Sequence, residues 1–170
     1  MKIRLASKEL LVDSIVDGDG LRSVIWTQGC SHHCKGCHNP ETWDFNAGVE
    51  VDTEDVKREL DNLSLQDGIT LSGGDPFFQA KACTEIAKYA KEIGLNVWAY
   101  SGFTFENILK VDEMKELLKY VDVLVDGPFL LDKKSLTLSY RGSSNQRIIN
   151  VPKSLKDGKV HQIKKYDRKK

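Results

Sequence analysis

Residues 23–37 read Ser-Val-Ile-Trp-Thr-Gln-Gly-Cys-Ser-His-His-Cys-Lys-Gly-Cys, so an apolar run passes directly into a segment with three cysteines. The β-branched and aromatic residues at 23–27 predict a buried strand. Cys30, Cys34 and Cys37 then follow with the spacing C-x3-C-x2-C. Because side chains along a strand alternate between its faces, three thiols so close together converge only in a loop that wraps around a bound group. Thiolates favour zinc, copper(I) or iron-sulfur clusters.

Four further runs rich in β-branched residues follow, at 69–71, 95–99, 121–125 and 147–151. Their first residues are 26 apart, a spacing that suits one strand and one returning helix in each unit. This β-α-β alternation predicts an α/β fold with a mainly parallel sheet of about five to six strands. A closed eight-stranded β/α barrel needs about 250 residues. The 170 residues of this chain exclude a closed barrel and leave a partial, open one.

Apolar residues between the strand runs repeat with the period of an amphipathic helix. The three stripes are Val56, Leu60 and Leu63; Phe78, Ala82, Ile86, Ala90 and Ile93; and Met114, Leu117, Leu118 and Val121. Asp52 and Asp55 resemble a capping pair at the start of the first helix, and Gly94 is typical of the end of the second. Residues 1–20 predict a hairpin or strand extension with a turn at 17–20.

Each predicted strand except the last runs directly into small or polar residues. The segments that follow the strands are Gln28-Gly29-Cys30, Ser72-Gly73-Gly74-Asp75, Tyr100-Ser101-Gly102 and Asp126-Gly127. Parallel α/β sheets bind ligands at the carboxyl ends of their strands, where such connections gather. We therefore expect the cysteine loop and the three other segments to lie at one edge of the sheet.

The residues alone leave two kinds of metal centre open for the cysteine loop. A zinc site with three cysteines would take His32, His33 or His38 as its fourth ligand. An iron-sulfur cluster held by three thiolates would instead keep one iron free to bind a substrate or cofactor. Cys83, the remaining cysteine, lies on the apolar face of the second predicted helix and is predicted to be a buried core thiol.

The C-x3-C-x2-C loop after the first strand resembles the radical S-adenosylmethionine superfamily, of which this spacing is the most specific mark. Residues 15–22 and 28–43, which lead into and include the loop, are similar to the activating enzymes of glycyl-radical enzymes. The similarity extends to residues 123–129 and 141–147 and covers roughly residues 15–151. It implies a partial β/α barrel, in agreement with the strand pattern.

The resemblance also implies the cofactors, the reaction and the partners. Cys30, Cys34 and Cys37 would act in catalysis by holding a [4Fe-4S] cluster, and the amino and carboxylate groups of S-adenosylmethionine would bind its fourth iron. One electron would break the sulfonium C–S bond to give methionine and a 5′-deoxyadenosyl radical. The implied substrate is a backbone glycine of an anaerobic ribonucleoside-triphosphate reductase. The electron would come from a low-potential donor such as reduced flavodoxin.

The glycine-rich segment after the second predicted strand matches a motif of the same superfamily. Gly73 and Gly74 would bind the methionine amino group through their backbone, although a Gly-Gly pair is also an ordinary turn. Asp75 stands where the family usually has Glu. Arg141 and Arg147, beside a Gly-Ser-Ser-Asn run, are candidates to bind phosphate or a partner carboxylate.

Further cofactor contacts are expected from two other places. The superfamily favours an aromatic residue before the third cysteine, where this chain has Gly36, so the adenine would lie against the backbone around Gly36, Cys37 and His38 or be contacted from elsewhere in the chain. By their position on the shared edge, Ser101 and Asp126 are candidates for the ribose hydroxyls or the methionine end of the cofactor. A helix N-cap region and a strand-end turn are their alternative roles.

The charges of the chain cancel but are unevenly placed. With 25 Lys and Arg and 25 Asp and Glu, the formal charge is zero, which favours neither nucleic acid nor an acidic membrane as a partner. Residues 152–170 hold eight basic and two acidic residues, a net charge of +6. We expect 1–151 to form the radical S-adenosylmethionine partial-barrel domain and 152–170 to be a solvated or loosely docked basic tail.

The sequence predicts a cytoplasmic location, because no signal-peptide stretch begins the chain and no run of about 18 apolar residues predicts a membrane span. Two other functions stay open at this point. One is a radical S-adenosylmethionine enzyme that acts on another glycyl-radical enzyme or on a small molecule. The other is a zinc-stapled interaction module that binds nucleic acid through its basic tail.

Overall fold

A computed structural model describes residues 1–167, without the side chains of Leu11 and Val12. This described part contains eight β-strands and five α-helices. The strands are β1 (Lys2–Leu5), β2 (Leu11–Ser14), β3 (Arg22–Thr27), β4 (Val49–Asp52), β5 (Gly68–Gly73), β6 (Asn96–Tyr100), β7 (Val123–Asp126) and β8 (Arg147–Asn150). The helices are α1 (Thr53–Asp61), α2 (Ala80–Glu92), α3 (Phe105–Ile108), α4 (Asp112–Leu118) and α5 (Val151–Asp157).

One mixed sheet contains all eight strands in the order β4-β1-β3-β5-β6-β7-β8, with β2 paired to β3 beside this path. The central strands β3, β5, β6 and β7 are parallel to one another. The five predicted strand runs correspond to β3 and to β5–β8, so the predicted count of five to six strands is too low. β1 and β2 lie within residues 1–20, where a hairpin or strand extension was predicted, and β2 does pair antiparallel with β3 across the predicted turn; β4 was not predicted.

The last strand departs from the predicted parallel arrangement. β8 runs antiparallel to β7, with Asp126 opposite Arg147. Between residues 127 and 146 the described chain forms no α-helix, only a 3-10 turn at Leu131–Lys133 within an irregular connection. The 26-residue spacing therefore reflects a long loop here and not a returning helix. This loop forms the far wall of the pocket described below.

The predicted helical stripes correspond to α1, α2 and α4. Asp52 caps α1, as predicted, because its carboxylate accepts a hydrogen bond from the Glu54 backbone N–H at 3.0 Å. α2 ends two residues before Gly94, which has a φ of +89°. The helices cover one face of the sheet, and the buried residues between them include Ile25, Leu71, Ile86, Val97, Leu117 and Leu124. Within the described residues, no helix has the length and apolar character needed to cross a membrane.

The other face of the sheet is partly polar and contains a buried cation. Arg22 on β3 is 0% exposed, and it donates hydrogen bonds to Thr70 Oγ1 at 2.8 Å and to the Ile69 carbonyl at 2.6 Å. Its guanidinium carbon lies 5.6 Å from the centre of the Trp98 ring. Burial lowers the pKa of Arg22 to about 10, so the side chain stays charged at neutral pH.

Residues 152–167 pack against both faces of the sheet: Leu155 and Val160 contact the core beneath the helices, whereas Ile163 and Tyr166 lie against this second face. The Ile163 backbone N–H donates to the Ile148 carbonyl at 2.8 Å, which joins the segment to β8. The Tyr166 ring contacts Trp98 edge-on with a centroid distance of 5.6 Å, and its hydroxyl donates to Asp19 at 2.7 Å. Residues 168–170 of the predicted basic tail lie outside the described residues. The division of the chain at residue 151 stays a prediction.

Candidate active site

A pocket of about 380 Å³ lies at the carboxyl ends of the parallel strands, on the face opposite the helices. Its floor consists of Trp26, Ser72, Tyr100 and Val125, which come from β3, β5, β6 and β7 respectively. The loops after these strands supply its walls, including all three cysteines of the cysteine loop. The segments that the sequence places at one edge of the sheet therefore do come together there.

The cysteine loop is held in a compact turn. The Cys30 backbone N–H donates to the Trp43 carbonyl at 3.1 Å, and the Cys37 N–H donates to the Cys34 carbonyl at 3.0 Å. Gly36 has a φ of +79°, a backbone conformation that side chains disfavour, and a Cβ there would lie 2.7 Å from the end of the Leu131 side chain. The loop thus needs glycine at this position to bring the last cysteine to the pocket.

The chemistry of the three thiols fits an iron-sulfur cluster. None of the four described cysteines forms a disulfide. Burial raises the pKa of Cys30 to about 11, so this thiol releases a proton when it binds metal. In residues 1–167, no three His, Cys, Asp or Glu side chains are arranged as ligands of one metal ion. Three thiols that line one pocket fit an iron-sulfur cluster, in which each thiolate binds a different iron.

Gly73 and Gly74 pack tightly against the start of the cysteine loop. The Gly74 N–H donates to the Thr27 carbonyl at 2.8 Å. A Cβ on Gly73, which has a φ of +106°, would overlap the Thr27 backbone, and a Cβ on Gly74 would overlap the Gly29 carbonyl. Close backbone packing therefore requires both glycines. Because both also line the pocket, their backbone is accessible to a ligand.

Ser101 lines the pocket, but its hydroxyl is already bonded within the protein. The Ser101 Oγ donates to the Asp75 carboxylate, 2.9 Å from Oδ2, and accepts a hydrogen bond from the Phe103 N–H at 3.0 Å. The side chain of Asp75 is 0% exposed. Asp75 is not among the described residues that line the pocket, although its neighbours are.

Asp126 is 1% exposed and lies behind the wall of the pocket. Its carboxylate accepts hydrogen bonds from Arg147 and, at 2.7 Å, from the Phe105 N–H at the start of α3. Arg147 also binds Glu106, and these hydrogen bonds lower the pKa of Glu106. The Asp126 side chain thus joins β7, β8 and α3. These contacts are structural, like the strand-end role that the sequence left open as the alternative to cofactor binding.

The segment predicted to contact adenine borders the pocket. Cys37 and His38 line it, whereas Gly36 is not among the described lining residues and packs against Leu131 and Phe129. The His38 ring contacts Phe129 edge-on with a centroid distance of 5.1 Å. Phe129 belongs to the irregular loop after β7, so an aromatic residue reaches this end of the pocket from a distant part of the sequence.

The far wall of the pocket contains residues that were not predicted as site residues, although three of them lie in the segments 123–129 and 141–147 that carry the family similarity. They are Phe129, Leu138, Tyr140, Gly142 and Gln146. Arg141, which was a candidate for anion binding, lies among them and is the one Lys or Arg among the described lining residues. Its side chain is 7% exposed and donates to the Tyr166 carbonyl at 3.0 Å. The Arg141 Nε is buried without a hydrogen-bond partner in the described part.

Comparison with known proteins agrees with this site. Residues 16–149 match the family model of a 4Fe-4S single cluster domain. An anaerobic ribonucleoside-triphosphate reductase-activating protein from Pasteurella multocida is 35% identical over 144 residues, which cover 79% of this chain and 90% of that protein. The chain belongs to the family of these activating proteins. The matched range contains the cysteine loop and all the loops that line the pocket.

Other members of the activating-protein family show the same level of similarity. The protein of that name from Escherichia coli strain K12 is 34% identical over 145 residues, covering 78% of this chain and 90% of the relative. The one from Enterobacteria phage T4 is 35% identical over 140 residues, covering 78% and 86%. Among solved structures, QueE from Escherichia coli has a TM-score of 0.47 and 13% identity, and the match covers 61% of this chain and 54% of QueE.

Proposed function

We propose that this chain activates an anaerobic ribonucleoside-triphosphate reductase by generating a glycyl radical on it. The observation that carries this proposal is the convergence of three unpaired thiols, Cys30, Cys34 and Cys37, on one pocket at the carboxyl ends of parallel strands. The family of the chain supplies the identity of the partner. An open, partial β/α barrel is the architecture that we propose for the sheet.

The three cysteines would hold a [4Fe-4S] cluster and leave one iron for S-adenosylmethionine. Bound by these cysteines and reduced, the cluster would supply the electron needed to cleave the sulfonium C–S bond of S-adenosylmethionine, and the organic radical so formed would take a hydrogen atom from a glycine Cα of the partner. Three protein thiolates match this arrangement because a [4Fe-4S] cluster otherwise takes four. The electron would come from a low-potential donor such as reduced flavodoxin.

The residues around the cysteines would bind and orient the cofactor. The accessible backbone at Gly73 and Gly74 can accept hydrogen bonds from the methionine ammonium group, and the backbone at 36–38 can border the adenine. Ser101, at the pocket surface, and Asp126, behind it, remain the positions proposed beside the ribose or methionine end. The aromatic floor and wall, which include Tyr100 and Tyr140, would keep water away from a reactive radical.

The mouth of the pocket suits a protein substrate. Large apolar side chains stand exposed beside it: Val16 is 65% exposed, Leu131 43% and Leu136 84%. Val16 lines the pocket itself, and Leu131 and Leu136 belong to the loop of its far wall. Exposed apolar side chains near a pocket can supply contacts to another protein. A segment of the reductase could therefore reach the pocket without entering a closed barrel.

We place this activity in the cytoplasm and within residues 1–151. Four cysteines without disulfides are typical of a reducing compartment. The radical chemistry would use residues between Val16 and Gln146, because the residues that line the pocket fall within this range. Residues 152–170 would serve as a separate basic segment.

The test is anaerobic reconstitution of the chain with iron and sulfide, followed by reduction and addition of S-adenosylmethionine. With the cognate reductase, we expect 5′-deoxyadenosine and a glycyl-type doublet in electron paramagnetic resonance. A reductase whose radical-site glycine is replaced by alanine is the matched control and gives no doublet. Stoichiometric zinc without iron would support the zinc-stapled module instead. Cofactor cleavage without any doublet on the reductase would point to another glycyl-radical enzyme or a small-molecule substrate.

A further inference from the structure

Asp75 connects the loop after β5 to the middle of the cysteine loop. Its Oδ2 lies 2.7 Å from Nε2 of His32, the central residue of the spacer between Cys30 and Cys34. An ionised carboxylate only accepts hydrogen bonds, so His32 is the donor. The side chains are 0% and 18% exposed respectively, which protects this bond from competition by water.

The carboxylate of Asp75 has no free position for a ligand. Its Oδ1 accepts from the Phe77 N–H at 3.0 Å and lies 3.1 Å from the Ser101 Oγ. Its Oδ2 accepts from His32, from Ser101 at 2.9 Å and from the Gly102 N–H at 2.9 Å. A carboxylate offers about four lone-pair directions, and these donors use them. The ammonium group of a cofactor would have to displace one of them.

The ring of His32 is also fixed by packing. It contacts Phe103 nearly at right angles with a centroid distance of 4.5 Å, and it contacts Phe78 at 5.4 Å. A Cβ on Gly102 would lie 2.6 Å from the ring, so the histidine fits against bare backbone on that side. Packing and hydrogen bonding therefore hold the ring in one orientation, with Nε2 at Asp75.

We propose that Asp75 is a positioning residue, which holds the cysteine loop through His32 and does not contact S-adenosylmethionine. This proposal rests on the proposed function and deepens it. A second link supports it, because the Asp75 backbone N–H donates to the Gly29 carbonyl at 3.0 Å, immediately before Cys30. Both bonds tie the loop after β5 to the cysteine loop. The conformation of residues 30–34 would then depend on a buried carboxylate outside the loop.

The first test measures how firmly the loop is held in the full-length chain before the cluster is assembled. The rate at which iodoacetamide alkylates Cys30, which is 7% exposed, is followed anaerobically by mass spectrometry. We expect His32→Gln, which leaves the Asp75 charge in place, to raise this rate about 10- to 100-fold, as loss of one hydrogen bond to a charged group would, and Asp75→Asn to raise it at least as much. The double variant should react no faster than the faster single variant, since both changes break one interaction.

Two controls separate loosening of the loop from general unfolding. Asp122→Asn removes another carboxylate that accepts a backbone N–H bond, from Val97 at 2.8 Å, and should leave the Cys30 rate unchanged. Cys83 is 0% exposed in α2, so its alkylation by iodoacetamide should stay slow in every variant. If the alkylation of Cys83 also becomes faster in Asp75→Asn, that variant is generally unfolded. The Cys30 rate in His32→Gln then tests the proposal. Unchanged Cys30 rates, or additive effects in the double variant, would overturn the proposal.

The second test asks whether Asp75 touches the cofactor. Reconstituted wild-type chain and Asp75→Asn are compared for binding of S-adenosylmethionine and of an analogue without the α-amino group. We expect the variant to weaken both ligands by the same factor. A selective loss of affinity for S-adenosylmethionine would show direct contact with the amino group and overturn the proposal. If wild-type chain binds neither ligand, the proposed function fails while the alkylation result still decides the role of Asp75.

Discussion

Arg147 binds Asp126 through two parallel hydrogen bonds, with Nε 3.0 Å from Oδ1 and Nη2 2.6 Å from Oδ2. The two residues face each other across the antiparallel pair β7–β8. Asp126 is 1% exposed, and the same carboxylate accepts the Phe105 N–H at the start of α3. One ion pair therefore links β7, β8 and the start of α3 beside the pocket.

Replacing Arg147 should strongly destabilise the chain. Arg147→Ala leaves the Asp126 carboxylate buried without its cation, and loss of one partner of a buried pair costs about 3–5 kcal/mol. The free energy of unfolding measured by urea denaturation checks this. Arg58→Ala is the control, because the Arg58–Asp55 pair is exposed on α1 and should contribute at most about 1 kcal/mol. An equal decrease in the free energy of unfolding of the two variants would contradict the larger contribution expected from the Arg147–Asp126 pair.

Glu106 should contribute a pH-dependent part of the stability. Hydrogen bonds from Arg147 lower the pKa of Glu106 below its ordinary value of 4.5. A carboxyl group whose pKa is lower in the folded state stabilises the protein above the unfolded pKa and loses that effect as the pH falls through the folded pKa. We expect wild type to exceed Glu106→Gln in free energy of unfolding at about pH 7, with a difference that shrinks below pH 4.5. Because Glu106 is 55% exposed, the effect should also weaken with salt.

A pH-independent difference between wild type and Glu106→Gln would contradict this prediction. Denaturation curves at several pH values between 3 and 7 distinguish the outcomes. The Lys119–Glu116 pair on the surface near α4 offers a comparison, since both side chains are about half exposed and should contribute little at any pH.

The sequence predicted the central sheet because its strands carry continuous buried residues. Leu71, Val97 and Leu124 are each 0% exposed, and their β-branched and apolar neighbours give a recognisable pattern. The edge strand β4 offers no such pattern, since Val49 and Glu50 are exposed. The direction of β8 was not predictable from spacing, because a 26-residue interval fits either a helical crossover or a long loop.

The cysteines and glycines of the site were predictable because spacing and backbone requirements are local. Cys30, Cys34 and Cys37 are close in sequence, and they line one pocket. The burial of Arg22 was not predictable from the sequence. A charged residue at the start of a strand is normally exposed, whereas Arg22 is 0% exposed. The far wall around Tyr140 comes from an irregular loop without periodicity, and its position depends on contacts with distant residues.

Cys83 should be dispensable for the cluster. It is 0% exposed in α2, as the apolar stripe predicted, and burial raises its pKa to about 12. Cys83→Ala should keep the iron and sulfide content of the reconstituted chain and cost about 1–2 kcal/mol in stability. Cys34→Ser, in contrast, should lose cluster iron and form no 5′-deoxyadenosine. Loss of the cluster in Cys83→Ala would show that this thiol is a ligand or supports one.

Gly74 and Gly94 should respond differently to the same substitution. In Gly74→Ala the new Cβ would overlap backbone atoms of Gly29 and Thr42, which cannot move freely, so we expect a cost of about 1–3 kcal/mol and weaker binding of S-adenosylmethionine. In Gly94→Ala the Cβ meets nothing within 4 Å, and only the φ of +89° costs about 1–2 kcal/mol. Urea denaturation measures the stability of each variant, and equilibrium dialysis measures its binding of S-adenosylmethionine. Normal cofactor binding by Gly74→Ala would contradict a role for this segment in the site.

Substitution of Leu136 should affect activation of the reductase and leave cleavage of S-adenosylmethionine unchanged. Its side chain is 84% exposed on the loop that forms the far wall, so Leu136→Asp should leave the fold intact. If the reductase docks on this rim, burying a charge there should lower the rate of glycyl-radical formation about 10-fold, which corresponds to about 1.4 kcal/mol. Formation of 5′-deoxyadenosine without the reductase should not change. Leu65→Asp, at a position 79% exposed and outside the described pocket lining, is the matched control and should activate the reductase normally. If Leu136→Asp and Leu65→Asp activate the reductase equally well, the docking surface lies elsewhere. If Leu136→Asp loses cofactor cleavage to the same extent as activation, the substitution has damaged the pocket itself.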